Sequence, residues 1–249
     1  MKKGFVLVFL MLVWASSVMA GKIVIANDEW TLSNTGYSGT NDPGQFAQNV
    51  ASWFGGTNFL AFSNNFGLTE SSLASTMTNA GYSWTVTTES SYLSNLSAYS
   101  GIFLSGNAVD NNLLINYVNG GRNVYLAGGT GIAGPSVEAA QWATFLNYFG
   151  LSFVGSSYNG IGGSIPISSS HPIFNGVDSL YQNNGNSILD LSVDLTGQVL
   201  LYSGGQGLYA VYEATNSSTP VPEPASMLLF GTGCIVFSGY LRKKFKKQS

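Results

Sequence analysis

Short apolar runs with polar exits alternate along this chain with stretches whose apolar residues recur every three or four positions. Lys22-Ile23-Val24-Ile25-Ala26-Asn27 has the form of a buried parallel strand, a continuous aliphatic run that ends in polar residues. A polar, glycine-rich loop follows to Gly44, and then Phe46, Ala47, Val50, Trp53 and Phe54 fall at helical spacing. A second helix is predicted from Thr69 to Ala80, carrying Leu73 and Met77 and stopped by Gly81. Residues 82–87 alternate as a strand, and 101–106 form an apolar strand with a glycine exit. Asp110 is suited to cap a helix bearing Leu113, Leu114, Tyr117 and Val118, which Gly120-Gly121 ends. A strand at 123–127 leads into the tight turn Gly128-Gly129-Thr130-Gly131, and a strong helix over 137–148 stops at Gly150. Late strands are predicted at 198–202 and 208–212. Strands alternating with helices of this length point to an α/β domain with a mainly parallel sheet and crossover connections. A mainly β sandwich is the alternative, favoured by the Ser, Thr and Gly content.

The two ends follow a different logic. Lys2 and Lys3 precede an uninterrupted apolar run from Phe5 to Trp14, and the run exits through small residues to Ala20. This is a secretory signal peptide over 1–20, with Val18 and Ala20 in the positions that signal peptidase reads and cleavage expected between Ala20 and Gly21. The run is too short for a retained span, which takes about 20 residues. At the other end a polar spacer and Pro222-Glu223-Pro224 (216–226) precede an apolar stretch at 227–241 and a basic tail at 242–249. A helix over 225–241 would be about 26 Å long, slightly short of a hydrocarbon core of about 30 Å, and is expected to be a transmembrane anchor held by its basic cytoplasmic end. The two prolines keep the Pro-Glu-Pro backbone extended outside that helix, where a peptidase can grip it. The globular part is thereby bounded to 21–215.

Charge changes the picture once both ends are set aside. Between Gly21 and Pro220 only Lys22 and Arg122 are basic, against eleven acidic residues, a formal charge of −9, whereas the whole chain carries −3. Such a domain cannot neutralise phosphates, which excludes nucleic acid as a partner. The single cysteine, Cys234, falls in the apolar tail, so the domain has no disulfide, no thiol nucleophile and no thiolate ligand.

The order Pro222-Glu223-Pro224, apolar helix, basic tail resembles the PEP-CTERM sorting signal of Gram-negative bacteria. The resemblance implies recognition by exosortase, a transient inner-membrane anchor, removal of the tail, and arrival at the cell surface or outside it. It also implies a link to exopolysaccharide and biofilm matrix. Within the domain, Tyr117-Val118-Asn119-Gly120-Gly121 before an apolar strand, Phe149-Gly150-Leu151 after the long helix, and His171-Pro172-Ile173-Phe174-Asn175-Gly176-Val177 resemble in their order the class I glutamine-amidotransferase-like superfamily. That resemblance implies a flavodoxin-like fold with helices on both faces of the sheet, and it is nearest to the non-glutaminase branches. Glutaminases place their nucleophilic cysteine on a turn that corresponds here to Gly128–Gly131. Thr130 stands there instead, and a hydroxyl needs a neighbouring base.

The candidate ligand site is Asp28-Glu29, just beyond the first strand, where open α/β sheets bind their ligands. With Asp42 these residues could offer oxygens to Ca²⁺ or half of a carboxylate pair for glycoside hydrolysis; a solvated loop turn is the plainer reading. His171, the sole histidine, reads as structural, and no other cofactor is expected. Trp30, Tyr37 and Tyr158 could stack on sugar rings or serve as ordinary rim aromatics. The expectation is a non-enzymatic surface protein whose partners are signal peptidase, exosortase and exopolysaccharide. The alternative is an extracellular carbohydrate-active hydrolase or glycan-binding module.

Overall fold

The computed structural model describes residues 21–191 and 197–213. The expected signal peptide at 1–20, with Ala20, the spacer with Pro222, Glu223 and Pro224, the membrane helix and the basic tail lie outside the described residues. Among the described residues no helix is long and apolar enough to cross a membrane.

In chain order the main elements are β1 (Lys22–Ala26), α1 (Pro43–Phe54), β2 (Asn58–Ser63), α2 (Phe66–Thr69), α3 (Ser71–Asn79), β3 (Ser83–Thr87), β4 (Gly101–Ser105), α4 (Asn111–Asn119), β5 (Asn123–Ala127) and α5 (Pro135–Tyr148). There follow β6 (Leu151–Phe153), β7 (Gly162–Pro166), β8 (Ser179–Asn183), β9 (Ile188–Asp190), β10 (Gly197–Ser203) and β11 (Gln206–Glu213). Seven strands form one sheet in the order β10-β11-β1-β5-β4-β2-β3. The run from β1 to β3 is parallel throughout, and β11 is antiparallel to both β1 and β10. The fold is therefore α/β with a mostly parallel sheet, and the sandwich alternative falls away.

Side-chain alternation explains why this sheet needs cover on both sides. Val24, Ala26, Phe59, Ala61, Phe103 and Tyr125 point to one face, where they meet Phe46 and Val50 of α1 and Leu73 and Met77 of α3. Ile23, Ile25, Leu60, Ile102, Leu104 and Leu126 point to the other, against Leu114 and Val118 of α4 and Trp142 and Phe145 of α5. Strands buried on both faces read as continuous apolar runs, which is what made β1, β4 and β5 visible in the sequence.

β2 was not anticipated, although it lies between β4 and β3 with five of its six residues buried. Its sequence, Asn-Phe-Leu-Ala-Phe-Ser, contains no β-branched residue and follows closely on a helix. The expected helix over 69–80 is two pieces, because Glu70 leaves the helical region at φ −76°, ψ 158° and its carboxylate accepts a bond from the Asn34 N–H. The small antiparallel pairs β6–β9 and β7–β8 were also unanticipated.

The connections set the site. After β1 the chain turns to the face of α1, and after β5 to the face of α5, yet the two strands are neighbours. β2 and β4 diverge in the same way, toward α3 and α4. Crevices open at such divergences beyond the carboxyl ends of the strands.

Candidate functional site at the carboxyl ends of the strands

Three carboxyl groups gather where β1 and β5 diverge. Asp28 and Glu29 follow β1, and Glu138 stands in the first turn of α5; their exposures are 0%, 1% and 6%. Each is held by hydrogen-bond donors. Asp28 accepts from the Trp30 N–H at 3.0 Å and from the Asn183 N–H at the end of β8. Glu29 accepts from Asn65 Nδ2 at 2.6 Å and Ser105 Oγ at 3.1 Å, and Asn65 also donates to the Thr130 carbonyl at 3.1 Å. Glu138 accepts from the N–H groups of Gly129 and Thr130 at 3.1 and 3.2 Å. Glu29 thus ties together the loops after β1 and β2 and the end of β4, and through Asn65 the loop after β5.

The glycine turn is shaped by close approach. Gly129 has φ 68°, and a Cβ there would lie 2.7 Å from the Gly185 Cα and 3.0 Å from the Asn27 carbonyl. With no side chain in the way, its N–H reaches both Glu138 and Asn186 Oδ1, the latter at 2.9 Å. Successive N–H groups in such a turn make an anion cradle, and the chain's own carboxylate fills it.

Burial raises the affinity of these groups for protons. It pushes Asp28 up to about 6, against the pull of the Trp30 and Asn183 N–H groups. It pushes Glu29 up to about 8, with the charges of Asp28 and Glu138 adding to the effect and the Ser105 hydrogen bond opposing it. Glu138 is raised by burial too, against the N–H bonds of Gly129 and Thr130. Among the described residues no cation answers them. Lys22 pairs with Glu213 at 3.0 Å at the start of β1, and Arg122 precedes β5, so both sit at the opposite end of the strands.

Asp42 does not join this group. Its carboxylate accepts from the N–H groups of Asp178 and Ser179 at 2.9 and 3.3 Å, at the start of β8, whereas Asp28 holds the end of that strand. Four residues of strand separate the two by about 13 Å. Among the described residues no three His, Cys, Asp or Glu side chains are grouped to hold a metal ion.

Thr130 and His171 are also far apart. His171 packs edge-on against Trp53 at 5.1 Å, and Lys22 lies over the same indole. The imidazole therefore sits at the start of β1, about 20 Å along the sheet from the glycine turn. Its Nδ1 accepts the Ile173 N–H and caps the short turn Pro172–Phe174, and burial lowers its proton affinity.

Half-buried aromatics rim the crevice. Trp30 meets Phe66 edge-on at 4.7 Å and Tyr181 at 6.4 Å, and Tyr158 stands close enough for the carboxyl charges to be felt at its hydroxyl. Tyr37 is packed against the α1 side of the core, away from the rim. Sequence reasoning found Asp28 and Glu29 but missed Glu138, Asn65 and Ser105. A lone acid in the first turn of a helix that follows a glycine turn was the available signal for Glu138.

Comparison with curated proteins and with solved structures finds no match to the chain. Residues 220–244 match the PEP-CTERM protein-sorting motif, and that motif marks the chain as a secreted protein processed by exosortase.

Proposed function

We propose that the mature protein is a non-enzymatic component of the cell surface or extracellular matrix, meeting neutral polysaccharide through the rim of Trp30, Phe66, Tyr181 and Tyr158. One observation carries the non-catalytic part: the paired N–H groups of the glycine turn are filled by Glu138. A turn used for acyl transfer keeps such donors open for a developing oxyanion. The histidine is at the other end of the sheet, too far to serve Thr130 as a base, and the Thr130 hydroxyl is instead hydrogen-bonded to Glu138, whose carboxylate is already engaged by the turn. The parallel strands with a glycine turn entering a long helix support reading the domain as a non-glutaminase relative of amidotransferase-like, flavodoxin-like proteins.

Aromatic rings stack on the apolar faces of sugars. The formal charge of −9 between Gly21 and Pro220 argues for an uncharged polymer over an acidic one. The test passes the protein recovered from culture medium over the producer's neutral polysaccharide and over an anionic one. Retention on the neutral polymer, weakened about tenfold by Trp30→Ala, is the expected result. Equal retention of wild type and variant would remove the rim from consideration. Release of new reducing ends, lost in Asp28→Asn, would establish the alternative of a carbohydrate-active hydrolase.

A further inference from the structure

Among the described residues the crevice holds three buried acids and nothing basic. Every titratable group that faces them from the surrounding elements is itself an acid. Tyr158 approaches from the loop after β6, while Tyr125 of β5 and Tyr209 of β11 feel the Asp28 charge from within the core. Lys22, Arg122 and His171 are the only basic side chains between Gly21 and Glu213, and all three lie at the opposite end of the strands. Mutual repulsion among the acids can therefore be relieved only by protons, since like charges sharing a site cannot all ionise cheaply. Beyond the closely packed Gly129, the segment that Glu138 holds has room around it. Gly129, Gly131 and Gly134 all have positive φ, at 68°, 70° and 82°, and Gly131 and Gly134 have open space around them.

We propose that Asp28, Glu29 and Glu138 form a proton-held latch. While a proton is retained among them the loops after β1, β2 and β5 and the end of β4 stay tied. Its loss releases the 128–134 turn and opens the crevice between β1 and β5. Glu29 is the controlling member because it bonds to both the β2 loop, through Asn65, and to β4, through Ser105. Opening would carry the aromatic rim with it, since the Trp30 N–H is bonded to Asp28. The latch stands on the carboxyl geometry and does not depend on what the rim binds.

The experiment is amide hydrogen exchange on the mature protein, corrected for intrinsic rates, followed across the 128–134 segment from about pH 6 to pH 9. Wild type should lose protection there by about tenfold per pH unit as one proton is released, while β4 and β5 remain protected. Glu29→Gln, which keeps the shape and removes the charge, should abolish that dependence. A flat wild-type profile, or a variant that follows wild type, overturns the latch. Should Glu29→Gln fail to fold, Ser105→Ala serves: losing a donor to the ionised form should move the transition to higher pH, and an unmoved transition counts against Glu29.

Discussion

Asp28 and Glu29 each gain proton affinity on folding, and the consequence for stability has a definite sign. Glu29 moves from 4.5 to about 8, and Asp28 from 3.8 to about 6. Between those limits the folded chain holds more protons than the unfolded one, so stability falls as pH rises. The contribution of Glu29 is whole below its unfolded value and lost as pH climbs through 8, a change on the order of 5 kcal/mol. His171 has the opposite sign: its lowered proton affinity favours the neutral ring, so its contribution is lost on acidification below 6.5. Urea melts from pH 5 to 9 should therefore show a midpoint that declines toward the alkaline side, and one that rises steadily to pH 9 would contradict the burial of these acids. At this scale the sequence disclosed the acidic pair because it follows an unmistakable strand. Glu138 stayed hidden because its role depends on a turn folding back over a helix start, and Asp42 looked like a partner only while the path of β8 was unknown.

The two edges of the sheet are protected unequally. β10 is irregular, with register shifts around Leu201 that bend it away from regular pairing. β3 pairs regularly with β2 on one side only, is uncharged along Ser83–Thr87, and exposes Val86. A regular, uncharged edge is a template for another strand. Val86→Lys should lower concentration-dependent light scattering of the mature protein without changing its unfolding free energy by more than about 0.5 kcal/mol; unchanged scattering would absolve this edge. Element by element, helices and doubly buried strands were legible from period and aliphatic runs. β2 was not, because it has no β-branched residue, its two Phe stand among Asn, Leu, Ala and Ser, which carry little strand preference, and only its neighbours β3 and β4 define it. The antiparallel pairs β6–β9 and β7–β8 are joined across long sequence separations that no local pattern reports.

For the whole molecule the clearest statement concerns delivery. The sorting motif at 220–244 marks the chain for exosortase, and the prediction is direct. Protein recovered from medium should begin at Gly21 and end near Pro222-Glu223-Pro224, by intact mass. Changing Glu223→Ala and Pro224→Ala together should leave a species with its tail in the membrane fraction. Full-length protein in the medium, or normal trimming of the variant, would break the assignment of the motif residues. Delivery was readable because it is written in contiguous residues. The crevice was only half readable, because its members come from stretches far apart in the chain.

The pairing of β1 with β11 has one more consequence, for where the chain can safely be cut. The domain's first strand lies between β5 and its last strand, with Lys22 opposite Glu213 and Ala26 opposite Tyr209. A protease trimming inward past Glu213 would strip β1 of its partner and leave two buried rows of backbone groups facing water. The domain thus sets its own inner limit for maturation at Glu213, and the sorting motif at 220–244 begins beyond that limit.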